Sequence, residues 1–265
     1  MTDIMGKKAA SEVVGALLTV VVILSASGLI YVISHPVISN SIDNLDYRNA
    51  VKTMAEIKEI VQRMKYEGEI ATTKSVQLNG GSISNLKSFN ATFRVSELPP
   101  GLSVAIAHAP PNINAIIHAA HDIEVQWRMS DLSIDLPSRN IVFESGIFAK
   151  VGGKVIPIPI SDPDVTATND TIYISLYSFF GNYSAGGNRA TINLKYINTV
   201  IFDDVNSFKI DSEFCKLWKN KIESELNNVV NKPAVFTDSD CSDNNMEISK
   251  AGGNITIIVT DIEVT

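Results

Sequence analysis

A chain of 265 residues that is 45% hydrophobic and 19% charged, with 15 Gly and 10 Pro, is neither disordered nor collagen-like. It is long enough for one well-cored domain or two small ones. The formal net charge of −7 comes without any basic cluster able to neutralise phosphates, which excludes nucleic acid as a partner.

The first element is a run of 22 residues, Val13 to Ser34, that holds no charge. As a helix rising ~1.5 Å per residue it reaches ~33 Å, against a hydrocarbon core of ~30 Å, and it exceeds the roughly 7–15 residues of a signal-peptide apolar region. Lys7 and Lys8 precede it, and the first charges after it are Asp43 and Asp46. That bias predicts a single-pass protein of the cell membrane, embedded in membrane lipid, with a cytoplasmic N-terminus and an extracellular C-terminal domain. Glu12 lies at the lip of the span, where a carboxylate is costly without a partner. Gly15, Ala16, Ser25, Ala26, Ser27 and Gly28 are small enough to let helices approach closely.

The junction Lys7-Lys8-Ala9-Ala10-Ser11-Glu12-Val13-Val14-Gly15 resembles the class III signal peptides of archaeal type IV pilin-like proteins. A weaker similarity to an archaeal pilin-like family runs through RNIVFESGIFAKVGGKVIPIPISD and ISLYSFFGNYSAGGNRATINL. The resemblance implies a prepilin peptidase as partner, a cut near Ala9/Ala10, and an apolar helix that stays on the mature chain. It also implies that this helix packs with copies of itself or with other pilins, in a filament or in the membrane.

Past Pro36, residues Tyr47, Val51, Met54, Ile57, Val61 and Met64 recur every three or four positions, which predicts an amphipathic helix stopped by Gly68. Pro36 is expected to kink or break it away from the preceding apolar segment. The period then drops to two. Phe89, Ala91, Phe93 and Val95 alternate with Asn90, Thr92 and Arg94, and Ile123, Val125, Trp127 and Met129 alternate with Glu124, Gln126 and Arg128, which predicts two half-buried strands. Residues 140–160 read as a three-strand meander with turns at Ser145-Gly146 and Gly152-Gly153; Pro157 and Pro159 place its last strand at a sheet edge. Strands are expected at Thr171–Phe179, Ala190–Ile197 and Asn254–Val264. One helix interrupts them, capped by Asp211 or Ser212, ending by Asn228 and burying Phe214, Trp218, Ile222 and Leu226.

Cys215 and Cys241 are the two cysteines, and in an oxidising compartment they predict a disulfide; two buried free thiols are the other arrangement the spacing allows. Four glycosylation sequons start at Asn90, Asn169, Asn182 and Asn254.

Chemistry is thinly represented. His118 and His121 share an i, i+3 spacing with His108 nearby, yet no carboxylate or cysteine with ligand spacing completes a metal set. The acidic stretch Asp238, Asp240, Ser242, Asp243 lacks the glycine and glutamate of an EF-hand, and Asp162, Asp164 and Asp170 are no better placed. No phosphate loop, nucleophile elbow or His-Glu-x-x-His occurs, so neither a cofactor nor an enzyme is expected.

The expected fold is α+β: a long N-terminal helix, transmembrane over one half and amphipathic over the other, then a mainly antiparallel β head with one packed helix. The expected divisions are a signal peptide at 1–9, a transmembrane helix at 10–35, an amphipathic helix at 36–68 and an extracellular head at 69–265. The expected function is that of a pilin-like cell-surface protein, filament subunit or anchored, with an adhesive or assembly role. The competing class is a membrane-anchored extracellular binding module or, less so, a surface hydrolase.

Overall fold

The computed structural model describes residues 3–85, 88–96, 113–119, 122–137, 139–151 and 154–265. It divides into two compact units, Met1–Asp46 and Tyr47–Thr265. Helix α1 spans Asp3–Glu67 and continues through Pro36, so that of the kink or break expected there the break does not occur. It ends where Gly68 takes a φ of +77°, a left-handed conformation in which glycine costs nothing sterically.

The second unit is built on three sheets. The first, in spatial order, is β1 (Ala71–Gln77), β13 (Arg189–Phe202), β17 (Asn254–Val264), β11 (Thr171–Phe180) and β10 (Val165–Ala167). The second runs β12 (Ser184–Gly186), β2 (Ser82–Ser84), β6 (Leu132–Asp135), β7 (Arg139–Phe143), β8 (Ile147–Val151) and β9 (Lys154–Ser161). The third runs β15 (Ala234–Asp238), β16 (Asn245–Lys250), β14 (Ser207–Asp211), β3 (Ser88–Val95), β5 (Asp122–Ser130) and β4 (Ile113–Ala119). Pairing is antiparallel except between β11 and β17, which run parallel over ten residues. The C-terminal strand thus lies inside the first sheet, between β13 and β11.

The first sheet is the middle layer because both of its faces are apolar. One face, with Ile174, Leu176, Ile257 and Val259, shares a core with Phe93, Trp127 and Phe208 of the third sheet and with helix α2 (Cys215–Asn227). The other face, with Phe179, Ile192, Leu194 and Ile262, shares a core with Ile134 and Phe143 of the second sheet and with Met54, Ile57, Val61 and Met64 of α1. This apolar burial is the main term holding the layers together. Polar contacts set the rotation of the helix on the sheet. Lys58 Nζ donates to Ser161 Oγ at 2.6 Å and to the Asp162 carbonyl at 2.9 Å, and Lys65 Nζ donates to Ser175 Oγ at 2.6 Å. Burial lowers the Lys58 pKa, and Asp164 and Asp162 oppose that shift.

Helix α2 buries Trp218, Ile222 and Leu226 as the four-residue spacing requires, and Ser212 Oγ accepts the Phe214 N–H at 3.0 Å just ahead of its first turn. Cys215 and Cys241 form a disulfide with a Cα–Cα distance of 5.8 Å across a sequence separation of 26. Closing a loop of that length is worth about 3 kcal/mol through the unfolded state. Cys241→Ser is therefore expected to lower the melting temperature by roughly 6–12 °C, read by differential scanning calorimetry with and without reductant. If reductant shifts wild type and variant equally, the crosslink is not the source of the stability.

Two expectations are corrected. The fold is mostly β in three sheets rather than α+β with a transmembrane half-helix. The localisation as a single-pass membrane protein falls with it: among the described residues, no helix is long and apolar enough to cross a membrane.

Candidate functional site

The outer face of the third sheet carries an open groove of about 670 Å³. Its inner face takes the alternate residues Phe89, Ala91, Phe93, Val125, Trp127, Phe208 and Ile210 into the core, so the intervening side chains must project outward. Strand register sorts those outward side chains into rows. Asp211, Asn90 and Arg128 form one row, drawn from β14, β3 and β5. Glu247, Lys209, Thr92, Gln126 and Asn114 form the next, across all five strands from β16 to β4. Ser207, Arg94 and Glu124 form the third.

The floor is electrically balanced, with Arg94, Arg128 and Lys209 against Glu124, Asp211 and Glu247. Arg94 Nη2 lies 3.4 Å from Glu124 Oε2, His118 Nε2 lies 3.6 Å from the same oxygen, and Gln126 Nε2 donates to Glu124 Oε1 at 2.8 Å. The hydrogen bond from Gln126, more than the neighbouring Arg94, holds the Glu124 pKa below the usual carboxylate range. Such a surface offers alternating donors and acceptors without net charge. It suits a neutral, hydroxyl-rich ligand better than a polyanion or a polycation.

The expected site residues are scattered. Lys7, Lys8, Ala9, Ala10, Glu12, Gly15 and Gly28 fall in α1, but their side chains lie outside the described residues. Ser27 is exposed. The four sequon asparagines are all exposed. Asn90 lies in the groove, while Asn169 Oδ1 accepts the Val230 N–H at 3.1 Å. His108 and His121 lie outside the described residues, and among the described residues no group of three His, Cys, Asp or Glu gathers to hold a metal. In the acidic stretch, Asp240 accepts both the N–H and the hydroxyl of Ser242, which lowers its pKa. A third of the groove lining, Ser207, Lys209, Asp211 and Glu247, comes from β14 and β16, which the sequence reading passed over. The signal was there: Ser207-Phe208-Lys209-Ile210-Asp211 and Asn245-Met246-Glu247-Ile248-Ser249 both alternate with period two.

The fold and groove define a mostly β protein of three sheets with a neutral polar surface on one outer face. By sequence the chain belongs to a family of unknown function, DUF7289, which it matches over residues 8–265. It is 62% identical over 255 residues to an uncharacterized protein of Archaeoglobus fulgidus, covering 96% of each chain. No solved structure matches it.

Proposed function

We propose that this chain is a non-enzymatic, pilin-like surface subunit that assembles through α1 and presents the groove of its β unit outward. The observation that supports this reading is the apolar surface of α1. Val20, Val21, Val22, Ile23 and Leu24 are between 53% and 66% exposed, and Leu29 and Ile30 are 65% and 64% exposed. A contiguous apolar surface of this kind drives association when an equally apolar partner is at hand, and the same helix on another copy is such a partner. The small residues Ser25, Ala26 and Ser27 lie between the two apolar patches, and Ser25 keeps its hydroxyl satisfied by donating to the Val21 carbonyl at 2.7 Å. In this reading a prepilin peptidase trims the precursor near Ala9/Ala10 before assembly.

The test is the double variant Val22→Lys, Leu24→Lys expressed in the source cells. Electron microscopy should show loss of the fibres that contain the wild-type chain, while the thermal unfolding of the β unit stays unchanged. Mass spectrometry of the wild-type N-terminus should find a mature chain that begins near Ala9/Ala10 and lacks Lys7-Lys8. Fibres that persist with both lysines in place, or an intact Lys7-Lys8 on the mature chain, would sink the proposal.

A further inference from the structure

The groove floor carries a glycosylation sequon. Asn90, Ala91 and Thr92 form a sequon on β3, and because residues two apart on a strand project to the same face, Asn90 and Thr92 both stand in the groove floor. Asn90 is exposed and flanked in register by Asp211 on one side and Arg128 on the other. Thr92 is flanked by Lys209 and Gln126, with Glu247 and Asn114 next outward. We infer that Asn90 carries an N-linked glycan and that this glycan lies down in the groove as a permanent part of the outer sheet surface.

Three features argue for seating rather than simple display. The floor has no net charge, which matches a neutral sugar chain and disfavours charged ligands. It offers hydroxyl, amide, guanidinium and carboxylate groups within a few ångströms of the attachment site, the mixture that satisfies sugar hydroxyls in both donor and acceptor roles. The first sugar is fixed at the Asn90 row, so every further contact along the rows is intramolecular and avoids most of the entropic cost that a free saccharide incurs. The sequons at Asn182 and Asn254 have exposed asparagines but do not line this groove.

The chemistry balances without any group from the β unit beyond the amide. Asn90 Nδ2 forms a bond to the anomeric carbon of a lipid-linked glycosyl phosphate donor, the carbon–oxygen bond to the phosphate breaks, and the phosphate leaves with the bonding pair. Nδ2 gives up one proton. Asn90 pairs on both sides within the folded sheet, so transfer precedes the pairing of β3 with β5 and β14.

This inference rests on the export that the proposed function requires, and the experiment keeps the two apart. Wild-type protein is purified from its source cells beside Thr92→Ser, which keeps the sequon, and Thr92→Val, which removes it and leaves Asn90 in place. Peptide mass spectrometry is expected to find sugar on Asn90 in wild type and Thr92→Ser only. Thermal melts should place Thr92→Val about 3 °C below wild type, and the double variant Lys209→Ala, Glu247→Ala should fall by a similar amount while remaining modified. Sugar on Asn182 or Asn254 with a bare Asn90 overturns the inference and leaves the surface reading standing. A modified Asn90 whose loss does not move the melt overturns the seating. No sugar on any of the four, with the chain recovered from the cytosol, overturns both readings together.

Discussion

Replacing Trp218 with alanine is expected to be the most damaging single change in the β unit, lowering its melting temperature by roughly 8–16 °C for a loss of about 4 kcal/mol. Trp218 is fully buried on α2, in the core between the first and third sheets, and its truncation leaves a void that close-packed neighbours close only in part. A second cost is electrostatic. The indole Nε1 donates to Glu144 Oε1 at 2.9 Å, and Glu144 is itself 3% exposed. Burial pushes the Glu144 carboxyl up to about 8, against the opposing hydrogen bonds from Ser212 and Trp218, with Asp131 adding to the rise and Lys150 opposing it. Losing the indole donor therefore leaves a buried acid with one fewer partner, a change that costs more than the bond itself contributes. Trp218→Phe separates the two effects, since it keeps most of the volume and removes only the donor. It should cost about 1–2 kcal/mol, and much of that should vanish when Glu144→Gln is already present. A Trp218→Ala variant that melts within a degree or two of wild type would show that α2 is peripheral to the core.

How far this arrangement could be foreseen differs from element to element, and the reason is the range of the signal. Strands β3 and β5 and the buried stripes of α1 and α2 follow from alternation or four-residue spacing, which are local and present in the sequence. The β7–β8–β9 meander follows from turn chemistry, and Pro157 and Pro159 do sit on an edge strand. The interior position of β17 has no local signature. Its parallel pairing with β11 joins residues that are far apart in the chain, and a strand rich in Ile and Val reads the same whether it ends a sheet or fills its centre. Pro36 does not break α1, the stronger of the two effects that the loss of its amide donor suggested.

The groove was legible in its parts but not as a site. Each of Asn90, Thr92, Gln126 and Arg128 could be assigned outward from period two alone. That Lys209 and Glu247 join them depends on β14 inserting beside β3, and on β16 beside β14, which only the register reveals. Charge balance across the groove is likewise a property of rows, not of any segment. Asp211 and Arg128 flank Asn90 on its two sides in the sheet although both follow it in the chain.

Asp261→Asn is expected to stabilise the protein above neutral pH and to do little in acid. Asp261 is on β17, 1% exposed, beside Ser178 on β11 and Asn198 on β13, and among the described residues neither carboxylate oxygen accepts a hydrogen bond. Burial alone pushes its pKa up to about 7. The unfolded carboxyl titrates near 3.9, so the folded state binds the proton more tightly. The stability this contributes is fully present below about pH 4, declines as pH rises, and is gone once the folded group ionises above about pH 7. An amide never ionises, so Asp261→Asn should gain about 4 kcal/mol at pH 8, or roughly 8–16 °C. At pH 4 the two proteins should melt within a degree or two of each other. Glu144 contributes a pH slope of the same sign that extends to about pH 8, so the comparison is made in both the wild-type and the Glu144→Gln backgrounds. Melts recorded at pH 4, 6 and 8 decide the matter: curves for Asp261→Asn and its parent that run parallel across that range would mean that the Asp261 carboxyl is already ionised and solvated in the folded protein, and that the middle sheet tolerates a charge at its centre.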